Sequence, residues 1–188
     1  MSAGSSAVVA KARCKYGKML TLSDYRQLAG KSDVSYVVAA LKLLPGYKKY
    51  FSEVTESSVR RNLAEQLLYK WMIGNYTELC HFKFQQKNGF FRYLLKREEI
   101  AQIIKAIMYI SAGEHENFIL YFPMFLQKYS EVNFMELVKA RTFKEVVTFM
   151  EGTPYHKVLK PLIPEGALFP EIRMVETVMG HHFHDWLT

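Results

Sequence analysis

The sequence is poor in the features that usually announce a chemistry. It has two cysteines in 188 residues, Cys14 and Cys80, with no pair motif around either. That spacing excludes a disulfide framework and a zinc knuckle, and it suits a reducing cytosol. Six prolines and ten glycines are too few for a low-complexity or collagenous chain. No run approaches the roughly 18 apolar residues that a bilayer span requires. The nearest candidate, Phe118 to Leu126, is short and interrupted by Pro123. The opening MSAGSSAVVAKAR lacks a long apolar core ahead of its charges, so no signal peptide is expected. Neither G-x-x-x-x-G-K-[ST] nor G-x-G-x-x-G occurs, which leaves no nucleotide loop of the usual kinds. Period-2 alternation is missing over any strand-length stretch.

What is present is a globular, helix-patterned chain, 49% hydrophobic and 23% charged. Its organising feature is an internal repeat. The stretch Thr21 to Tyr47 finds a second copy from Phe134 to Tyr155, displaced by 109 positions. Tyr25 then meets Phe134, Leu28 meets Leu137, Val34 meets Phe143, Leu41 meets Met150 and Pro45 meets Pro154. Each copy reads as short helix, polar turn, second helix and proline stop. Thr21 with Asp24, and Thr142 with Glu145, have the form of a capping box. In the second helix of each copy the apolar positions fall on one stripe, 34, 37, 38 and 41 against 143, 146, 147 and 150. A repeat of this length predicts stacked helical modules.

Around the repeat, periodicity predicts a helix over 7–19, with Val9, Ala12, Tyr16 and Met19 inward and Lys11, Lys15 and Lys18 opposite. A second is expected over 56–73, capped by Thr55 or Ser57, with an inward stripe of Val59, Leu63, Leu67 and Trp71 and a stop at Gly74. Further helices are expected over 76–86 and 90–110, the latter ending at Ala112-Gly113. A kinked helix over 117–129 breaks at Pro123, and a last helix begins at Glu171 with Val175 and Met179 inward. The fold class expected is all-α: repeated small helical domains, 1–113 and 114–188.

Candidate chemistry is thin. His181, His182 and His184, with Asp185, include an i, i+3 pair that could ligate zinc, but no second ligand pair stands elsewhere, and surface histidines are the favoured reading. Cys14 and Cys80 lie outside any nucleophile signature. Glu98, Glu99 and Asp24 sit where first turns and caps favour acids. No catalytic residue, cofactor or metal is therefore assigned, and an enzyme is not expected. The net charge of +7 is spread along the chain rather than blocked. Its best candidate contact surfaces are Lys11, Arg13, Lys15 and Lys18 on the first helix, and Arg60 with Arg61. The competing reading of both is solvated, solubilising charge.

Three stretches together carry a family resemblance: AKARCKYGKMLTLSDYRQLAGKSDVSYVVAAL, YLLKREEIAQIIKAI and ELVKARTFKEVVTFMEGTPY. In order and spacing the chain resembles the C subunit of V/A-type rotary ATPases, a relative of the d subunit of the eukaryotic vacuolar proton pump. It resembles the N-terminal half of such a protein, with a third module and closing helix missing. The resemblance implies a three-domain helical funnel on the cytoplasmic face of the membrane rotor ring. There it would act as a non-catalytic socket joining the central stalk to the ring, in a machine that couples ATP to proton or sodium transport. It supplies no motif residue as a defined site. Two other readings stand beside it, a helical protein–protein adaptor and a basic nucleic-acid binder. Against the second are the scattered charge and the lack of a recognition-helix motif.

Overall fold

The structure, a computed structural model, describes residues 3–56, 59–80 and 92–188. Among the described residues every regular element is helical and no strand occurs. The chain divides into two compact units, Met1–Asn88 and Gly89–Thr188.

In the first unit, α1 (Ala3–Tyr16), α2 (Leu22–Ala29), α3 (Val34–Leu43) and α4 (Lys48–Phe51) lead to the long α5 (Arg61–Cys80). The Thr21–Asp24 capping box is complete. The Asp24 amide donates to Thr21 Oγ1 at 3.2 Å, and the Thr21 amide donates to Asp24 Oδ2 at 2.7 Å. Asp33 caps α3 by accepting from the Ser35 amide at 2.8 Å. The core is Val38, Leu41, Tyr47, Phe51, Val59 and Ala64, with Leu67, Leu68 and Trp71 packed against it. Full burial of an aliphatic or aromatic side chain of this kind stabilises by about 1.5–3 kcal/mol.

The helix expected over 56–73 begins only at Arg61, too far on for Thr55 to cap it, and Leu63, expected inward, is exposed. Two further expectations fail in this unit. α5 does not stop at Gly74 but runs to Cys80. Gly74 serves close approach: a Cβ there would lie 2.2 Å from the Tyr50 hydroxyl. The Ser57 cap and the 81–91 part of the following stretch lie outside the described residues. The second failure is the rotation of α1. Val9, Tyr16 and Met19 are exposed, while Val8, Ala12 and Lys15 are the half-buried positions, at i, i+4 and i+7. The apolar signal on α1 is too weak to orient it, and the polar contact of Lys15 with α5 decides instead.

The second unit opens with the long α6 (Tyr93–Ser111). α6 ends in a Schellman motif. Gly113 takes φ of 74°, its amide bonds Ile110 O at 3.0 Å, and the Glu114 amide bonds Tyr109 O at 2.8 Å. Then follow α7 (His115–Tyr121), a 3-10 turn (Met124–Tyr129) beyond the break at Pro123, α8 (Phe134–Leu137), α9 (Phe143–Phe149), α10 (Pro154–Leu159), a second 3-10 turn (Lys160–Leu162) and α11 (Ile172–Leu187). α6 and α11 pack together as the long pair of this unit.

The repeat is visible in detail. The N-caps of α3 and α9, Asp33 and Thr142, stand 109 positions apart. Thr142 accepts from the Glu145 amide at 3.2 Å, but the Glu145 carboxylate answers the Arg141 amide at 2.6 Å rather than Thr142, so this box is only half formed. In each unit a tyrosine just after the repeat's proline, two positions past Pro45 and one past Pro154, is buried against the last long helix. Tyr47 stacks on Trp71 of α5 with centroids 4.5 Å apart, and Tyr155 meets His182 of α11 edge-on at 5.4 Å. Trp71 and His182 each lie ten residues past the first residue of their helix. The copies differ in cover: Tyr25 is 55% exposed, whereas its counterpart Phe134 is fully buried. Phe122 and Phe118, contributed by the α7 region, pack on Phe134 at 4.7 and 6.2 Å.

The expectation of Glu99 as a first-turn acid is also corrected. It lies well inside α6, buried at 7% exposure. Its Oε1 accepts from the Ser130 hydroxyl and the Glu131 amide, both at 2.6 Å. Its Oε2 accepts from the Tyr155 hydroxyl and, at 3.4 Å, from Lys96 Nζ. The Lys96 ammonium also sits 4.4 Å from the centroid of the Tyr155 ring. One carboxylate thereby ties α6 to the 130–131 turn and to α10. Burial, and then the Glu99 charge, hold the Tyr155 phenol protonated far above its usual range.

Because a hydrogen bond to a buried charge contributes about 1.5–3 kcal/mol, Tyr155→Phe is expected to lower the unfolding free energy of the second unit by about 2 kcal/mol in urea titration. A loss below about 0.5 kcal/mol would contradict this account of the network. Burial, and then nearby Lys96, push the His182 imidazole below its usual value of 6.5. The neutral ring is therefore the form that fits the fold. Its contribution is whole above about pH 6.5 and is lost as pH falls through the folded value. His182→Gln is expected to flatten that part of the stability–pH curve.

Candidate interaction surface

Three of the six predicted basic positions, Lys11, Lys15 and Lys18, come together on one side of the first unit. α1 ends at Tyr16, and a tight turn carries Lys18 over Pro45-Gly46, with the Lys18 amide bonded to Lys15 O at 3.0 Å. Gly46 is required at this crossing, since a Cβ there would stand 2.5 Å from the Lys18 carbonyl oxygen. Beneath the crossing the Trp71 indole N–H donates to Gly46 O at 2.8 Å, which fixes the 45–47 turn to α5. The result is a hollow of about 280 Å³ lined by residues that include Lys11, Cys14, Lys15, Lys18, Lys49, Trp71 and Glu78.

Lys15 Nζ donates to Asn75 Oδ1 at 2.6 Å and to Glu78 Oε2 at 2.7 Å, clasping α1 to α5. Lys49, from α4, reaches Glu78 Oε1 at 3.4 Å. The Lys15 hydrogen bond above all holds the Glu78 carboxyl below the usual carboxylate range; burial opposes the shift, and the charges of Lys15 and Lys49 support it. Lys11 and Lys18 have no acidic partner among the described residues. Four lysines facing one carboxylate leave the hollow with an excess of three positive charges.

Of the sequence candidates, Lys11, Lys15 and Lys18 line this hollow. Arg13 is exposed on α1 outside it. Arg60 and Arg61 are exposed at the start of α5, roughly 15 Å along the helix from Trp71 at 1.5 Å per residue. Arg61 is engaged with Glu65 at 2.7 Å, an i, i+4 pair. Sequence reasoning missed Lys49, Asn75 and Glu78, which no local motif links to α1. The histidine motif does not converge: His181 and His184 are exposed on α11, while His182 is part-buried against Tyr155. Among the described residues no group of three His, Cys, Asp or Glu side chains is placed to hold a metal ion. Cys14 is exposed in the hollow, and the Cys80 side chain lies outside the described residues. Among the described residues no helix is long and apolar enough to cross a membrane.

Comparison with known proteins points one way. The family described as ATP synthase (C/AC39) subunit matches residues 8–178. The C subunit of the A-type ATP synthase from Desulfurococcus sp. (strain SY) is 24% identical over 155 residues, which is 82% of this chain and 40% of that relative. The same A-type ATP synthase component from Thermococcus onnurineus (strain NA1) is 23% identical over the same length and shares. The chain thus spans about 40% of the length of these curated relatives. No solved structure gives a significant match.

Glu78 is half-exposed, so its pair with Lys15 is worth about 0.5–1 kcal/mol. With the carboxyl held below its usual 4.5, that contribution is whole above about pH 4.5 and is lost as pH falls through the folded value. Glu78→Gln is expected to destabilise the first unit by this amount at neutral pH. The difference should vanish in strong acid, as read by urea unfolding across pH. A pH-independent difference would contradict the ion-pair account.

Proposed function

From the premise that this chain belongs to the ATP synthase (C/AC39) subunit family, we propose that it is a non-catalytic coupling component of a V/A-type rotary ATPase. In this reading it sits on the cytoplasmic face of the membrane and joins the rotating central stalk to the membrane rotor ring. It carries torque while other subunits hydrolyse or make ATP and move protons or sodium ions. The observation that carries the proposal is the family match, which runs through both helical units. The fold supports it physically. Each unit brackets short helices between two long ones in contact, and close-packed helical interiors yield little under load.

The contact with the stalk is assigned to the first unit, through Lys11, Lys15 and Lys18 of the hollow, with Arg13, Arg60 and Arg61 as outlying charge. Such charged surfaces raise association rate and set register more than they add affinity. The deciding experiment is co-purification of the tagged chain with the separately expressed central-stalk subunits and rotor ring of an A-type ATPase. Stoichiometric recovery of the stalk subunits is expected. Recovery of neither stalk nor ring would overturn the proposal.

A further inference from the structure

We propose that the basic hollow between α1, the 45–46 turn and α5 is a receptor for an acidic protein segment, one that presents carboxylate side chains to Lys11 and Lys18. The inference deepens the coupling reading above and rests on it for the identity of the segment, a part of the central stalk. The chemistry itself follows from the hollow.

Its positive charges are not equivalent. Lys15 is already held by Glu78 and Asn75, and the more exposed Lys49 shares the same Glu78 carboxylate at 3.4 Å. Lys11 and Lys18 line the same space with no acidic partner among the described residues, and so are the donors left for an incoming group. Their companions in the lining are Trp71, Tyr50 and Pro45, surfaces that suit the methylenes of a glutamate while its carboxylate meets the ammonium groups. Size narrows the choice. About 280 Å³ lies at the lower edge of small-molecule sites, which run to about 1,000 Å³. It suits one or two side chains of a polypeptide rather than a nucleotide. A nucleic-acid or lipid surface is disfavoured because the lysines converge on a concave space with Glu78 in its wall. A dense row of phosphates would meet that carboxylate.

The hollow is also pre-formed. The Trp71–Gly46 hydrogen bond, the Tyr47–Trp71 stack and the Lys15–Asn75 bond hold its three sides before any partner arrives. Little ordering therefore remains to oppose binding, apart from the side chains of Lys11 and Lys18.

The test uses the full chain in a Trp186→Phe background, so that Trp71 in the hollow is the single tryptophan reporter. The probe is an oligoglutamate peptide, with vesicles of phosphatidylglycerol in phosphatidylcholine as a second arm. Saturable, salt-sensitive quenching by the peptide is expected. Affinity should drop about tenfold or more, equivalent to about 1.4 kcal/mol, in Lys11→Glu/Lys18→Glu and less in Lys11→Gln/Lys18→Gln. Lys70→Glu/Arg173→Glu makes the same change in net charge at exposed positions outside the hollow, and should leave affinity within about twofold. Equal weakening by both reversed pairs would overturn the receptor in favour of diffuse charge. So would absence of saturable peptide binding, or vesicle binding that Lys11→Glu/Lys18→Glu abolishes while peptide binding persists. The two proposals separate cleanly. Stalk co-purification undiminished in Lys11→Glu/Lys18→Glu sinks the acidic receptor and leaves the coupling reading standing. Specific peptide binding without stalk co-purification does the reverse.

Discussion

A single indole hydrogen bond organises the surface of the first unit. Trp71 lies midway along α5, and its N–H reaches across to the carbonyl of Gly46. With that turn fixed, Tyr47 is brought flat against the Trp71 ring and fully into the core. Gly46, lacking a side chain, then admits the backbone of Lys18, and the end of α1 settles over the turn. Lys11 and Lys15 of α1 and Lys18 just beyond it owe their convergence to this chain of contacts and not to any apolar preference of α1 itself. A bond of this kind contributes only about 1 kcal/mol net, yet its geometric consequence is large because everything in the hollow is placed relative to it.

The second unit solves the equivalent problem with a carboxylate. The tyrosine beside its proline, Tyr155, is again directed at the last long helix, but there it meets His182 and gives its hydroxyl to Glu99. Both units therefore use a tyrosine just after the repeat's proline, Tyr47 two positions past Pro45 and Tyr155 one past Pro154, as the strut between short and long helices. One is anchored by an aromatic stack and an indole bond, the other by a buried ionic knot. A buried ion network is weak evidence for net stability, but a satisfied one rigidifies the elements it joins. A protein that works by shape would draw on that rigidity.

What can be read from residues alone divides along a physical line. Periodic and capping signals are local, so Thr21 with Asp24, the kink at Pro123, the stop at Gly113 and the stripes on α3, α9 and α11 are all legible. The repeat offset is legible too, and it reappears in the N-caps of α3 and α9. Signals that depend on a distant partner are not. Gly74 looks like a helix stop until Tyr50 is placed against it, and Glu99 looks like a first-turn acid until Ser130 and Tyr155 converge on it. The facing of α1 is hidden because its apolar residues are spread around the helix, leaving Lys15 and its partners 60 and 63 positions away to settle the rotation. The site follows the same rule: three of its lysines stand out as a helical face, whereas Lys49, Asn75 and Glu78 join them only through tertiary structure.

The central claim is that this chain acts by contact, through the hollow of the first unit. Cys14 lines that hollow and is exposed, so it can carry a photo-activated cross-linker in a chain whose Cys80 is replaced by serine. Mass spectrometry of the labelled chain, assembled into an A-type ATPase and illuminated, would test the claim most directly. The account requires cross-links to a glutamate- or aspartate-rich segment of the central stalk. A labelled chain that co-purifies with the complex yet cross-links to none of its subunits would contradict it.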